Sequence, residues 1–134
     1  MTRLFYHKQN KLSTLILQEG LSTIGDDAFA YCLSLSDISL PASLQTIGYG
    51  AFANCSSLTS IDIPCGVTRI GYLAFASCTS LKCVTIPEGV TEISNNVFRR
   101  CRELETVIIP FGVTKIGDRA FSGCSSLKSV IIPE

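Results

Sequence analysis

Seven cysteines and a single histidine are the side chains whose types most directly raise nucleophilic or metal-binding chemistry. Cysteine and histidine act together in thiol catalysis when an imidazole draws the proton from a nearby thiol. They hold metal when ligands recur at short spacings such as C-x-x-C or H-E-x-x-H. Neither spacing occurs. His7 stands alone, and the thiol one repeat from it, Cys32, is expected to be buried and inert. The glycines form neither G-x-G-x-x-G nor a phosphate loop. The cysteine spacing points to something other than catalysis.

Cys32, Cys55, Cys78, Cys101 and Cys124 are 23 residues apart, and so are Phe29, Phe52, Phe75, Phe98 and Phe121. Leu35, Leu58, Leu81, Leu104 and Leu127 keep the same step, as do Pro41, Pro64, Pro87, Pro110 and Pro133. Ile24, Ile47, Ile70, Ile93 and Ile116 open the units. One step further back, Tyr6 falls on the Phe position, Gln9 on the Cys position and Leu12 on the Leu position. The chain therefore divides into six 23-residue units in one domain over residues 1–134. Residues 1–23 are diverged and 116–134 are cut short. A fixed period of this length predicts a solenoid, propeller or array.

Each unit writes its own local structure. In IGYLAFASCTSLKCVTIPEGVTE (70–92), LKCVTIP has the β-branched character of a short strand, ended by Pro87, which has no N–H for a ladder. Glu88-Gly89 turns the chain, and Val90 and Ile93 point back inside. In YLAFAS, the i,i+3 and i,i+4 spacings of Ala74, Phe75 and Cys78 predict one or two helical turns with one buried side. One unit buries too little apolar surface to offset the ordering of its backbone, so stability must come from neighbours stacked in register. Like residues then form columns: Phe on Phe, Cys on Cys.

Stacked equivalents lie about 4.8 Å apart with parallel side chains. A disulfide needs Cβ atoms about 3.8 Å apart and turned toward each other. The five column cysteines are therefore read as free, buried thiols serving as small hydrophobes. Cys65 and Cys83 fall off the column at exposed positions, out of step with one another and not expected to pair. Tyr49 and Tyr72, one unit apart, are expected to stack on the outer wall.

The segment L-x-x-I-x-I-P resembles the L-x-x-L-x-L core of leucine-rich repeats. The remainder, I-G-x-x-A-F-x-x-C-x-S-L, is similar to the 23-residue class of treponemal and BspA-like surface proteins. Ser94 and Val97 depart from it, where other units have Gly and Ala, and residues 1–11 match poorly. The resemblance implies an α/β, right-handed solenoid with a parallel β-sheet on the concave face, and short helical turns and extended segments on the convex side. It also implies a cell-surface or secreted setting and binding to host proteins or other cells. No signal peptide is read in MTRLFYHKQNKL.

The strand positions between the inward ones face the concave surface. They run from small and hydroxylated (Ser36, Asp37, Ser39, Thr59, Ser60, Asp62) to larger (Lys82, Thr85, Glu105, Ile108). Phe111 stands where other units have Ala42, Cys65 and Glu88. An aromatic beside Ile108, with Glu105 and Lys82 near, has the composition of a protein-binding hot spot; the alternative is a Phe packed on its own loop. Arg99, Arg100 and Arg102 form a charged corner, read either as a solvated patch or as a dock for an acidic partner. Asn54-Cys55-Ser56 fits the N-glycosylation triplet, a three-letter match of low specificity.

Eleven basic and eleven acidic residues give no net charge, which argues against a nucleic-acid binder. No apolar run is long enough for membrane insertion as a helix. No cofactor is implied. Three functions follow: a non-enzymatic protein-interaction module, a self-assembling spacer joined through uncapped terminal coils, and, least favoured, a thiol enzyme or redox sensor using Cys65 or Cys83.

Overall fold

In the computed structural model, residues 11–132 are described; Tyr6, His7, Gln9 and Pro133 lie outside them. The units open at Ile24, Ile47, Ile70, Ile93 and Ile116 and are called coils 2 to 6, after coil 1 (residues 1–23).

Each of coils 2 to 6 folds as three walls around an apolar interior. The first wall carries the three-residue strands β1 (Thr14–Ile16), β3 (Asp37–Ser39), β6 (Cys83–Thr85), β8 (Thr106–Ile108) and β10 (Ser129–Ile131). The second carries the two-residue strands β2 (Thr23–Ile24), β4 (Thr46–Ile47), β5 (Arg69–Ile70), β7 (Glu92–Ile93) and β9 (Lys115–Ile116). All pairs are parallel and step by one repeat, as in Val84↔Val107 and Ile24↔Ile47. The prolines sit just past the first-wall strands. There Pro41, Pro64, Pro87 and Pro110 carbonyls accept the N–H groups of Leu44, Val67, Val90 and Val113 at 3.0–3.2 Å.

The third wall corrects an expectation. Residues such as YLAFAS form no helical turns, and no helix occurs among the described residues. Alternate N–H groups there serve two different partners. Those of Ala28, Ala30 and Cys32 bond three residues back, to Gly25, Asp27 and Phe29 carbonyls. Those of Asp27, Phe29 and Tyr31 cross to Tyr49, Ala51 and Ala53 of the next coil, at 2.7–2.8 Å. A helix would spend every N–H inside its own segment. Here half of them become a ladder between coils. The geometry needs two left-handed residues per coil, such as Asp27 (φ 56°) and Tyr31 (φ 63°), or Leu73 (φ 60°) and Ser77 (φ 57°). Each non-glycine residue held there costs about 1 kcal/mol. The i,i+3 and i,i+4 spacing that mimics a helix arises because tight successive turns also return side chains to one side.

The interior is the expected set of columns. Phe29, Phe52, Phe75, Phe98 and Phe121 stack with ring centroids 5.6–5.7 Å apart and interplanar angles of 8–16°. Leu35, Leu58, Leu81 and Leu104 are fully buried. Every described cysteine is free. No ring contact joins Tyr49 and Tyr72 among the described residues, against expectation; both are about half exposed.

Both strand walls are interrupted near one place. On the first wall coil 3 contributes no strand over 59–63, so β1-β3 and β6-β8-β10 are separate sheets. Composition does not explain this, since β3, equally rich in Ser and Asp, pairs normally. On the second wall the sheet β2-β4-β5 ends and β7-β9 begins. This second break has a physical cause. A Cβ added at Gly48 would lie 2.8 Å from the Gly25 carbonyl carbon and the Ile24 oxygen; at Gly71 it would lie 2.7 Å from the Tyr49 nitrogen. The coils touch there only because nothing projects. Coil 5 has Ser94 at that position.

Its Cβ holds the two coils apart. Gly48, Gly71 and Gly117 N–H groups donate to Ile24, Ile47 and Ile93 carbonyls at 2.6–2.8 Å, whereas at Ser94 the side-chain hydroxyl reaches Ile70 O at 2.6 Å instead. The disturbance fades along the third wall. The crossing bonds there measure 3.3, 3.0 and 2.7 Å from Leu73, Phe75 and Ser77, against 2.9, 2.8 and 2.8 Å one coil earlier. Val97, bulkier than the alanines elsewhere in its column, lies in the same short stretch.

Candidate functional site

The first-wall strands β1, β3, β6 and β8 alternate, with the central residue the more buried. In β6 the pattern is exposed, buried, exposed, so Val84 enters the core while Cys83 and Thr85 face out. All the expected outer positions from Ser13 to Ile131 are exposed except Thr106 and Ile108, which are half-buried. The register lays them in rows: Thr85 beside Ile108 beside Ile131, and Cys83 beside Thr106 beside Ser129.

Of the residues singled out, Lys82 and Glu105 are brought together through backbone, Glu105 N–H donating to Lys82 O at 2.8 Å. The Glu105 side chain pairs in the other direction, with Lys128 at 3.7 Å. Both partners are largely exposed, so the pair is worth well under 1 kcal/mol. Phe111 is 74% exposed, just beyond the strand that contains Ile108; it is not folded onto its own loop. Asp62 lies two coils from Ile108, on the strandless stretch, where it shares with Thr85, Cys65, Cys83 and Glu88 an open groove of about 410 Å³. The candidate face thus has two parts: a groove at coils 3 and 4, and an aromatic and charged ridge at coils 4 to 6.

The arginine corner is divided. Arg99 and Arg100 line a groove of about 220 Å³ on the turn wall, with Tyr31, Tyr49 and Asp27. Arg102 does not line it; its carbonyl accepts the Ser125 hydroxyl at 3.5 Å. None of the three is held in an ion pair with Glu103 among the described residues.

The cysteine column does more than fill space. Cys55, Cys78, Cys101 and Cys124 thiols donate to the carbonyls of Phe29, Phe52, Phe75 and Phe98 in the preceding coil, at 3.1–3.3 Å. Those carbonyls sit inside the stack and also take the N–H three residues on. A thiol is the smallest apolar side chain that still carries a donor, which the spacing alone did not reveal. Burial pushes Cys78 up to about 12 and raises Cys101 and Cys124. Cys55 is raised by its hydrogen bond with Cys32, then by burial. These thiols stay protonated and unreactive at neutral pH. Cys65 and Cys83 are the exposed pair. No cluster of three or more His, Cys, Asp or Glu able to hold a metal occurs among the described residues. His7 lies outside them.

Stacked parallel coils, unbroken columns and a variable outer face define a leucine-rich-repeat solenoid. The chain belongs to the BspA type leucine rich repeat region family, whose model matches six copies over residues 2–134. The fold is similar to that of a T. pallidum leucine rich repeat protein, with 36% identity and a TM-score of 0.83 over 87% of this chain and 57% of that one. A leucine-rich repeat protein from Eubacterium ventriosum aligns with 25% identity and a TM-score of 0.85, over 97% of this chain and 34% of that one. One from Bacteroides ovatus aligns with 32% identity and a TM-score of 0.64, over 91% and 38%. The chain thus spans a third to somewhat over half of each of these structures. No curated protein matches the sequence.

Proposed function

We propose that the chain is a non-enzymatic protein-interaction module, part of a cell-surface or secreted adhesin-like protein, which binds a protein partner through the face of its three-residue strands. The observation that carries this reading is Phe111. It is a large aromatic left 74% exposed, on a fixed frame, beside a surface that changes from coil to coil. Burying such a ring on association removes substantial apolar area from water, and flanking charges such as Glu105 and Lys82 fix orientation. Family membership supports the class of function, and the surface setting is drawn from that family.

The test is a display experiment. Beads coated with the chain are scored for adhesion to animal and bacterial cells, wild type against a Phe111→Ala, Lys82→Ala, Glu105→Ala triple variant. These residues are exposed, so the circular dichroism spectrum of the variant is expected to match that of the wild type. Adhesion is expected to fall at least to the level of uncoated beads; undiminished adhesion by the folded triple variant rejects the face.

A second reading rests on the last described coil. Ile116 and Val130 are 51% and 42% exposed, while their equivalents Ile93 and Val107 one coil earlier are at most 2% exposed. Such a face with unpaired strand edges suits another coil or a second copy of this chain. Concentration-dependent growth in light scattering supports self-assembly; a constant monomer mass over the same range rejects it.

A further inference from the structure

The seam made by Ser94 opens a groove between the second-wall strands of coils 3 and 4, enclosing about 530 Å³. It lies on a different wall from the proposed protein-binding face. Tyr49 and Tyr72 flank it, each about half exposed. Thr68 and Thr91 supply hydroxyls, and Arg69 and Glu92 supply one charge of each sign. The backbone adds more. Gln45, Thr68 and Thr114 N–H groups each donate to the coil before, at 2.8–2.9 Å. Thr91 N–H makes no such bond to Thr68 O, so a donor and an acceptor that face each other elsewhere are left open here. Among the described residues the Glu92 side chain has one ion-pair partner, Lys115 at 4.0 Å.

We propose that this groove is a binding site for a neutral oligosaccharide of pyranose rings. Such a ring has an apolar C–H face, which lies on tyrosine, and a rim of hydroxyls that both donate and accept. Arg69 and Glu92 are planar groups suited to pairs of adjacent hydroxyls, and their charges cancel, so the groove favours neither an anion nor a cation. Thr91 N–H and Thr68 O add fixed polar partners. A peptide fits less well. Peptide recognition draws on apolar pockets for alternate side chains, and the one apolar side chain lining the groove, Ile70, is 4% exposed. The site exists because the repeat is irregular: with glycine at 94 the coils would close and the open Thr91 and Thr68 groups would pair.

The experiment is a nuclear magnetic resonance titration of the isotopically labelled chain. The titrants are neutral hexasaccharides of glucose, of mannose and of galactose, with a Gly-Ser-Thr peptide of similar length in parallel. Saturable amide shifts at Thr68, Thr91 and Glu92 with at least one sugar are expected. Tyr72→Ala and Glu92→Gln should each weaken the dissociation constant about tenfold, the worth of one good contact. Ser94→Gly should abolish binding while the protein stays folded. The Phe111, Lys82, Glu105 triple variant should bind sugar normally, which separates this site from the protein-binding face. The proposal is overturned if none of the sugars shifts these amides, if binding survives Ser94→Gly, or if only the peptide binds.

Discussion

The junction at Ile47 and Ile70 and the junction at Ile70 and Ile93 are one repeat apart and written in nearly the same letters. The first is closed: β4 pairs with β5, and Gly71 N–H reaches Ile47 O at 2.8 Å. The second is parted on that wall, with a serine hydroxyl in place of the backbone bond. Yet the phenylalanine stack passes both without a step, at 5.6 and 5.7 Å. The difference assigns separate tasks. Interior columns set the coil spacing and hold the rod together, and glycine decides whether the second wall seals. A repeat can therefore tolerate an open seam on one wall while its core stays continuous.

The largest effect should come from attacking what the two junctions share. Phe75→Ala removes a fully buried ring held between Phe52 and Phe98, and a loss of about 3–5 kcal/mol is expected in urea unfolding. Because each coil leans on its neighbours, the loss should also lower cooperativity, seen as a smaller denaturant slope. Next in size is converting the closed junction to the open kind. Gly71→Ser places a Cβ against backbone 2.7–2.8 Å away. A destabilisation of about 1–3 kcal/mol is expected, with faster hydrogen exchange at Arg69 and Ile70; unchanged exchange would show that glycine is not the spacer.

The smallest effects concern the thiols. At neutral pH an aromatic disulfide reagent should label Cys65 and Cys83 rapidly in the native chain and all seven cysteines in denaturant. Rapid labelling of Cys78 would break the continuity of the core that both junctions share. On the alkaline side, Cys78 has a thiol pKa near 9.0 when unfolded and about 12 when folded. The protonated form is the one the fold favours, so its contribution is complete below pH 9 and declines as pH rises from there toward 12. The slope is on the order of 1 kcal/mol per pH unit for each such thiol. Urea midpoints between pH 8 and 11 test it, and a flat profile would contradict the burial.

Much of this was legible in the letters. The 23-residue step of Phe, Cys and Leu fixed the period, the parallel register and the identity of the core, because only stacking in register buries every copy. The alternation in LKCVTIP likewise told which side chains of β6 face out. The helical turns were misread because a 3-to-4 residue spacing marks burial on one side, and local turns bonded to the next coil satisfy it as well as a helix does. The stacking of Tyr49 and Tyr72 failed for a related reason: sharing a repeat position aligns backbones, and only packing from all sides, as around Phe52, aligns rings. The cysteine-to-carbonyl bonds were hidden because the sequence gives a thiol's position and not what lies above it.

What the residues alone determined is the repeat, its period and its interior, since hydrophobic spacing is a property of the chain. Where the walls part was left to the tertiary structure. Ser94 is visible as a departure in any alignment of the units. Its meaning depends on the coil beneath it, 2.7–2.8 Å from where a side-chain carbon would stand at the corresponding Gly48 and Gly71. Close approach between distant segments is a three-dimensional quantity, and both grooves and exposed ridges follow from it.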